Sequence, residues 1–183
     1  EKMLYDNALL GIAYTMAYEK TRNPLYKEIT EKIFEFVIRD LASEEGGFYS
    51  ALDAETEGEE GKFYIFTKEE IVDLLGDEYG EFYCNYYDIT EDGNFEGKNI
   101  PNLIDKDLNN INDIDKTKLE SIRDIVFQYR DKRIKPHRDE KILTSWNGLF
   151  IAALAYGGKV FGNETYINNA KRAADFIIMN CID

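Results

Sequence analysis

Histidine is nearly missing from this chain. His137 is the only one among 183 residues. It follows Pro136 in a basic loop and reads as an exposed residue rather than a catalytic one. A Ser/His/Asp triad would depend on it, and no nucleophile elbow accompanies it. Cysteine is scarce too: Cys84 and Cys181 stand far apart without metal-ligand spacing, which suggests buried, reduced thiols of a cytoplasmic protein and no metal. Positive charge is in deficit, with 22 Lys+Arg against 36 Asp+Glu and a net charge of -14. Nucleic acid is therefore excluded as a partner, since phosphate binding needs a basic face. No run of eighteen apolar residues and no signal-peptide pattern occurs, so nothing is expected to span a membrane or direct export. What is present is a globular composition, 44% hydrophobic and 14% aromatic, in a length that supports a real core. The opening Glu-Lys-Met-Leu-Tyr-Asp runs straight into a helical pattern, as in a piece of a longer chain.

Helical spacing dominates both ends. From about Lys2 to Lys20, Leu4, Leu9, Ile12, Ala13, Met16 and Ala17 form an apolar face. A turn at Thr21-Arg22-Asn23-Pro24 follows, then a second helix to about Ala42 with Tyr26, Ile29, Ile33, Phe36 and Val37 facing inward. The same hairpin returns 140 positions later. Asn7, Leu9, Ala13, Asn23, Tyr26, Phe36 and Ile38 fall without a gap on Asn147, Leu149, Ala153, Asn163, Tyr166, Phe176 and Ile178. A repeated αα-hairpin implies an array or toroid of hairpins.

The middle has another texture. GGFYSALDA from Gly46 and KFYIFT from Lys62 alternate in the manner of strands, so Phe48–Leu52 and Lys62–Phe66 are expected to pair as a hairpin around an acidic loop, Asp53 to Gly61. Thr67-Lys68-Glu69-Glu70 has the capping-box form and should open a helix ending near Gly76. Another short helix should cover about Asp77 to Tyr87. Asp88 to Pro101 is turn-rich, Asn102 to Ile114 reads as a surface loop, and Asp115 should cap a helix to Arg133. The expected map is one domain: hairpin 2–42, β insert 46–67, short helices and loops 68–114, helix 115–133 and hairpin 143–181.

Two acidic turns, from Asp53 and from Asp88, superficially resemble the start of a calcium loop. Each lacks the glutamate needed at its twelfth position, where Tyr64 and Asn99 stand. Both read better as solvated turns. Carboxylate pairs are the more promising chemistry, because two acids across a cleft can move protons on a glycosidic oxygen or a sugar carbon. Asp6, Asp53, Glu55 and Asp139 are the candidates. Asp139 lies in the stretch Arg130 to Gly148, RDKRIKPHRDEKILTSWNG, where one helix ends and an apolar one begins near Leu143. Helix N-termini present unpaired N–H groups and a positive dipole. Trp146, Asn147 and Asp139 there offer a flat ring, an amide and a carboxylate, a surface suited to a sugar. The competing reading makes Trp146 core and pairs Asp139 with Arg133 or Lys141.

Four segments, EKMLYDNA from Glu1, GGFYSALDAETEGEEGKFYIFT from Gly46, GNFEGKNI from Gly93 and RDKRIKPHRDEKILTSWNGL from Arg130, resemble the thioredoxin-domain-containing family related to spermatogenesis-associated protein 20 (DUF255). The likeness departs at Glu140, Glu55-Thr56, Phe66 and Pro101. It implies a C-terminal (α/α)6 toroid similar to N-acylglucosamine 2-epimerases and six-hairpin glycosidases, of which this chain would be the front part, working with a thioredoxin-like domain. Epimerases on that scaffold use histidines, and one histidine cannot supply a two-histidine site.

The expectation is thus a mainly α, partial (α/α) toroid of helical hairpins with a small antiparallel β insert. Its site would use Asp53 and Asp139 for proton transfer and Tyr5, Asp6, Arg133, Trp146 and Asn147 for binding a small carbohydrate, without cofactor. A non-catalytic helical scaffold docking the thioredoxin-like domain is the alternative. Uncovered apolar helix faces would favour self-association of the fragment.

Overall fold

The computed structural model describes residues 1–109 and 113–181. The chain forms two compact units, Glu1–Ala54 with His137–Asp183, and Glu55–Pro136. It is mainly helical with a few very short antiparallel strands.

The first unit is built from two hairpins, α1 (Leu4–Thr21) with α2 (Pro24–Asp40), and α6 (Thr144–Phe161) with α7 (Glu164–Asn180). Every helix boundary of the second hairpin lies 140 residues after its counterpart in the first, and the end chemistry repeats with it. Asn23 and Asn163 are both N-caps, accepting from Leu25 N and from Thr165 N, each cap worth about 1 kcal/mol. Both first helices end on a left-handed residue, Arg22 at φ 59° and Gly162 at φ 67°. Asn7 and Asn147 both donate back to the carbonyl four residues earlier, Met3 and Leu143.

The first helices of the two hairpins pack on one another. Tyr5 meets Trp146 near their starts and Tyr18 meets Phe161 near their ends, so α1 and α6 run parallel with both N-termini at one end. Phe34 of α2 is fully buried and contacts Phe150 of α6 and Tyr166 of α7 edge to face, at 5.8 and 5.1 Å between centroids. Its ring reaches them because Gly11 and Gly157 leave room. A Cβ on either would stand 2.6 or 2.5 Å from a ring carbon.

The inward face of α1 differs from the sequence expectation. Leu4, Ala8, Gly11 and Thr15 are buried, while Leu9 and Met16 are half exposed. The helix is apolar nearly all round, so spacing alone does not select a side. On α2 the buried set is Thr30, Phe34 and Val37; Tyr26, Ile29, Ile33 and Phe36 are only partly covered.

The expected β hairpin does not form. β2 (Ala51–Leu52) instead lies between β1 (Lys2–Met3) and β5 (Arg138–Asp139) in an antiparallel three-stranded sheet. Lys62–Tyr64 lies in a turn and Phe66 makes only an isolated antiparallel bridge to Asn99; Phe63, Ile65 and Phe66 are buried, so the alternation reflects core packing rather than a strand. A separate two-stranded ribbon, β3 (Glu55–Thr56) with β4 (Glu59–Glu60), folds the acidic segment on itself.

In the second unit, α3 (Lys68–Leu75), α4 (Asp77–Tyr86) and α5 (Asp113–Asp131) enclose Phe66, Ile71, Tyr83, Cys84, Ile89, Ile122 and Val126. The capping box at Thr67 and Glu70 is present in both directions. Helix α5 begins two residues before Asp115, and part of the expected loop Asn102–Ile114, residues 110–112, lies outside the described residues. Cys84 is buried as expected, whereas Cys181 is exposed. No described helix is long and apolar enough to cross a membrane.

Candidate functional site

The parallel arrangement of α1 and α6 decides which candidates share a place. Tyr5 and Asp6 occupy the first turn of α1, and Trp146 and Asn147 the first turn of α6. The three-stranded sheet closes the same end: Met3 opposes Ala51, and Ala51 opposes Asp139. Asp53 follows β2 directly, its N–H donating to His137 O at 2.8 Å. Six of the seven candidates therefore gather around two adjacent helix N-termini, where the unpaired N–H groups and dipoles favour polar or anionic groups.

Their environments differ. Asp6 and Asp53 are exposed, while Tyr5, Asp139 and Trp146 are half-buried. Tyr5 and Trp146 touch edge to face, with centroids 4.8 Å apart at 62°. Each ring therefore keeps part of its surface on the other. Asp139 accepts from Lys141 Nζ at 3.0 Å and from Lys141 N at 3.2 Å. The Lys141 ammonium holds its carboxyl below the usual carboxylate range, with the Lys141 N–H and the Ser50 hydroxyl assisting. The pairing of Asp139 with Lys141, weighed as the plain alternative, is present.

Asn147 has a different standing. It is fully buried, and its amide spans the Phe48 backbone, accepting from Phe48 N at 2.8 Å and donating to Phe48 O at 2.9 Å. It mimics a strand partner for Phe48 and so anchors the run leading into β2 to the start of α6. A polar residue inside the apolar face of a predicted helix is the signal for such an anchor.

Arg133 belongs to the second unit. Its guanidinium lies over the Phe66 ring at 4.4 Å, donates to Ile65 O at 2.8 Å and Phe63 O at 3.2 Å, and pairs with Glu70 at 2.6 Å. Tyr129 donates its hydroxyl to the same Glu70 oxygen at 2.7 Å. Arg133 ties the Lys62–Phe66 turn to α3, a role that its place just beyond a helix end did not announce.

Among the described residues, no group of three His, Cys, Asp or Glu side chains is placed to hold a metal ion. The carboxylates at the helix ends can accept protons or hydrogen bonds, and the aromatic pair offers an apolar edge beside them.

No family model matches the chain. Its whole length is similar to part of spermatogenesis-associated protein 20 of Homo sapiens, 32% identical over 218 aligned residues and covering 27% of that protein. The Mus musculus protein of the same name is 29% identical over 214 residues, again covering 27%. An uncharacterized Caenorhabditis elegans protein is 27% identical over 208 residues, 97% of this chain and 28% of the relative. The chain thus spans about a quarter of the length of these curated relatives.

Proposed function

The chain belongs to the spermatogenesis-associated protein 20-like family, a name that states no chemistry, and from the geometry above we propose that its first unit is a carbohydrate-active domain. Sugar binding with epimerase-like or glycosidase-like chemistry would sit at the shared N-terminal end of α1 and α6. The observation that carries this reading is the convergence of Tyr5, Asp6, Asp53, Asp139 and Trp146 from three distant segments onto that end.

Within it, the roles follow from placement and from the one carboxyl whose partner is fixed. Asp139, held anionic by Lys141, suits a carboxylate that stabilises developing positive charge on a sugar carbon better than one that abstracts a proton, because a lowered pKa makes a weaker base. Asp53, at the end of β2, is the second carboxyl of the pair. Trp146 and Tyr5 line the sugar's apolar face, Asp6 accepts from its hydroxyls, and Asn147 positions the Phe48 strand rather than touching ligand. A two-histidine epimerase mechanism has no support in a chain whose only histidine is the exposed His137.

Trp146 is the sole tryptophan, so its emission reports on this place alone. Titration with a panel of hexoses, N-acylhexosamines and disaccharides should give a saturable change for at least one. Asp139→Asn should abolish that response while circular dichroism stays unchanged. A panel with no saturable response, or a response indifferent to Asp139→Asn, would overturn the reading.

One observation favours a second reading, a scaffold that docks a thioredoxin-like domain or another copy. Leu9, Leu10 and Met16 of α1 are 50%, 49% and 52% exposed, an apolar strip along a helix.

A further inference from the structure

The second unit carries an open cleft of about 460 Å³ that the proposed sugar site does not use, within the size range of small-molecule pockets. It is framed by three separated segments: Thr56 and Glu57 of the β3–β4 ribbon with the turn at Lys62, Phe63 and Ile65; Lys98; and Arg133 with Ile134. We propose that this cleft binds a small organic monoanion with an apolar body, such as an aryl- or alkyl-carboxylate.

The sign of the charge comes from the cations that line it. Lys62, Lys98 and Arg133 line it with Glu57 and Glu70, and Glu59 beside Lys62 brings cations and carboxylates level, on a chain of net charge -14. Lys62 is already paired with Glu57 and Glu59, at 3.4 and 2.7 Å. Arg133 spends its donors on Glu70 and on carbonyl oxygens. That leaves the Lys98 ammonium, which makes no close ion pair among the described residues, although it attracts the exposed Glu59 carboxylate at longer range. One available cation, and no free guanidinium fork, fits a carboxylate better than a phosphate dianion.

The apolar body follows from the walls. Phe63 and Ile65 are nearly covered, and Ile134 is 62% exposed beside them. Thr56 also lines the cleft, is 5% exposed, and its buried hydroxyl has no hydrogen-bond partner among the described residues. An unpaired hydroxyl of this kind costs about 1–3 kcal/mol, a cost that a carboxylate oxygen would relieve.

The loop that presents Lys98 is rigidly made. Asn99 is 1% exposed, bridges Phe66 through both backbone groups at 3.0 and 2.8 Å, and closes on Thr90 through its side chain. Gly93 sits at φ 74°, and a Cβ there would collide with the Lys98 carbonyl. The Gly93–Ile100 motif thus holds Lys98 in place, a purpose that the fold alone does not require of an ammonium.

The test compares matched probes on the whole chain, 3-phenylpropionate against the neutral 3-phenylpropanol, by ¹⁵N chemical-shift titration to about 10 mM, a range that reaches weak binding. The carboxylate should shift the amides of Thr56, Phe63 and Lys98 saturably, and the alcohol should bind at least about tenfold more weakly, the loss of one charge-assisted hydrogen bond. Lys98→Met should cost the carboxylate a similar factor and Lys98→Arg should restore it. Equal affinities for the two probes, shifts confined to other residues, no shifts at all, or unchanged binding by Lys98→Met would each overturn the proposal.

Discussion

Replacing Asn147 by alanine strips two hydrogen bonds from one buried backbone residue. Phe48 is 1% exposed, and its N–H and C=O both rely on the Asn147 amide. Each group left unpaired costs about 1–3 kcal/mol. The side chain's own desolvation, no longer required, offsets part of this. The expected net loss is about 3 kcal/mol, a large share of a typical domain's stability. The repeat supplies an internal control. Asn7 occupies the matching place but makes only the bond to Met3 O, at 2.7 Å, so Asn7→Ala should cost under about 1 kcal/mol. Asn147→Asp adds a second check. An ionised aspartate still accepts from Phe48 N but faces the Phe48 and Leu143 carbonyls, where Asn147 donated. The buried carboxyl should have a raised pKa, so its stability is greatest in acid and falls as pH rises through that value. Urea unfolding followed by Trp146 emission reads the first unit specifically. Equal losses for Asn7→Ala and Asn147→Ala, or a loss below about 1 kcal/mol at Asn147, would refute the anchoring role.

Glycine substitutions on α6 should split by position. A Cβ added at Gly148 would meet nothing within 4 Å, so Gly148→Ala should gain about 0.5–1 kcal/mol in the same assay. Gly157→Ala drives its methyl into Phe34 at 2.5 Å and should lose about 1–3 kcal/mol despite better helix propensity. The cysteines should separate in thiol labelling at neutral pH, Cys181 reacting at once and Cys84 only on unfolding. Burial pushes the Cys84 thiol up to about 11, so the stability that its neutral form contributes is complete below its unfolded pKa of about 8.5 and lost as pH rises through 11.

The helical hairpins were legible because caps, turns and spacing are local. Asn23-Pro24 and Asn163 mark their helices unaided, and the 140-residue offset needs no tertiary knowledge. The strands were not legible. Two-residue strands carry no period, and β2 finds its partners at Lys2–Met3 and Arg138–Asp139, far away in sequence with no turn to announce them. In KFYIFT the alternation is real but serves a buried turn. For the candidate site, the shared helix end was a consequence of the repeat, since equivalent positions on parallel helices must lie together. The assignment of Asn147 and Arg133 to backbone anchoring depended on partners at Phe48 and Ile65 that no spacing rule connects to them.

The first unit is written in two instalments, its halves interrupted by Glu55–Pro136 and rejoined where Asp53 bonds His137. During synthesis the leading hairpin emerges with Leu4, Ala8 and Phe34 uncovered, and α6 follows only after about 100 more residues, roughly 5–20 s at ordinary elongation rates. The interrupting segment is continuous and owns a core, so it can complete its folding within that delay. Once folded, it fixes its two ends and spares the chain much of the entropy of closing a long loop. The order of assembly then runs from the middle outward, and the nascent α1–α2 hairpin must keep its apolar face out of trouble until its twin arrives.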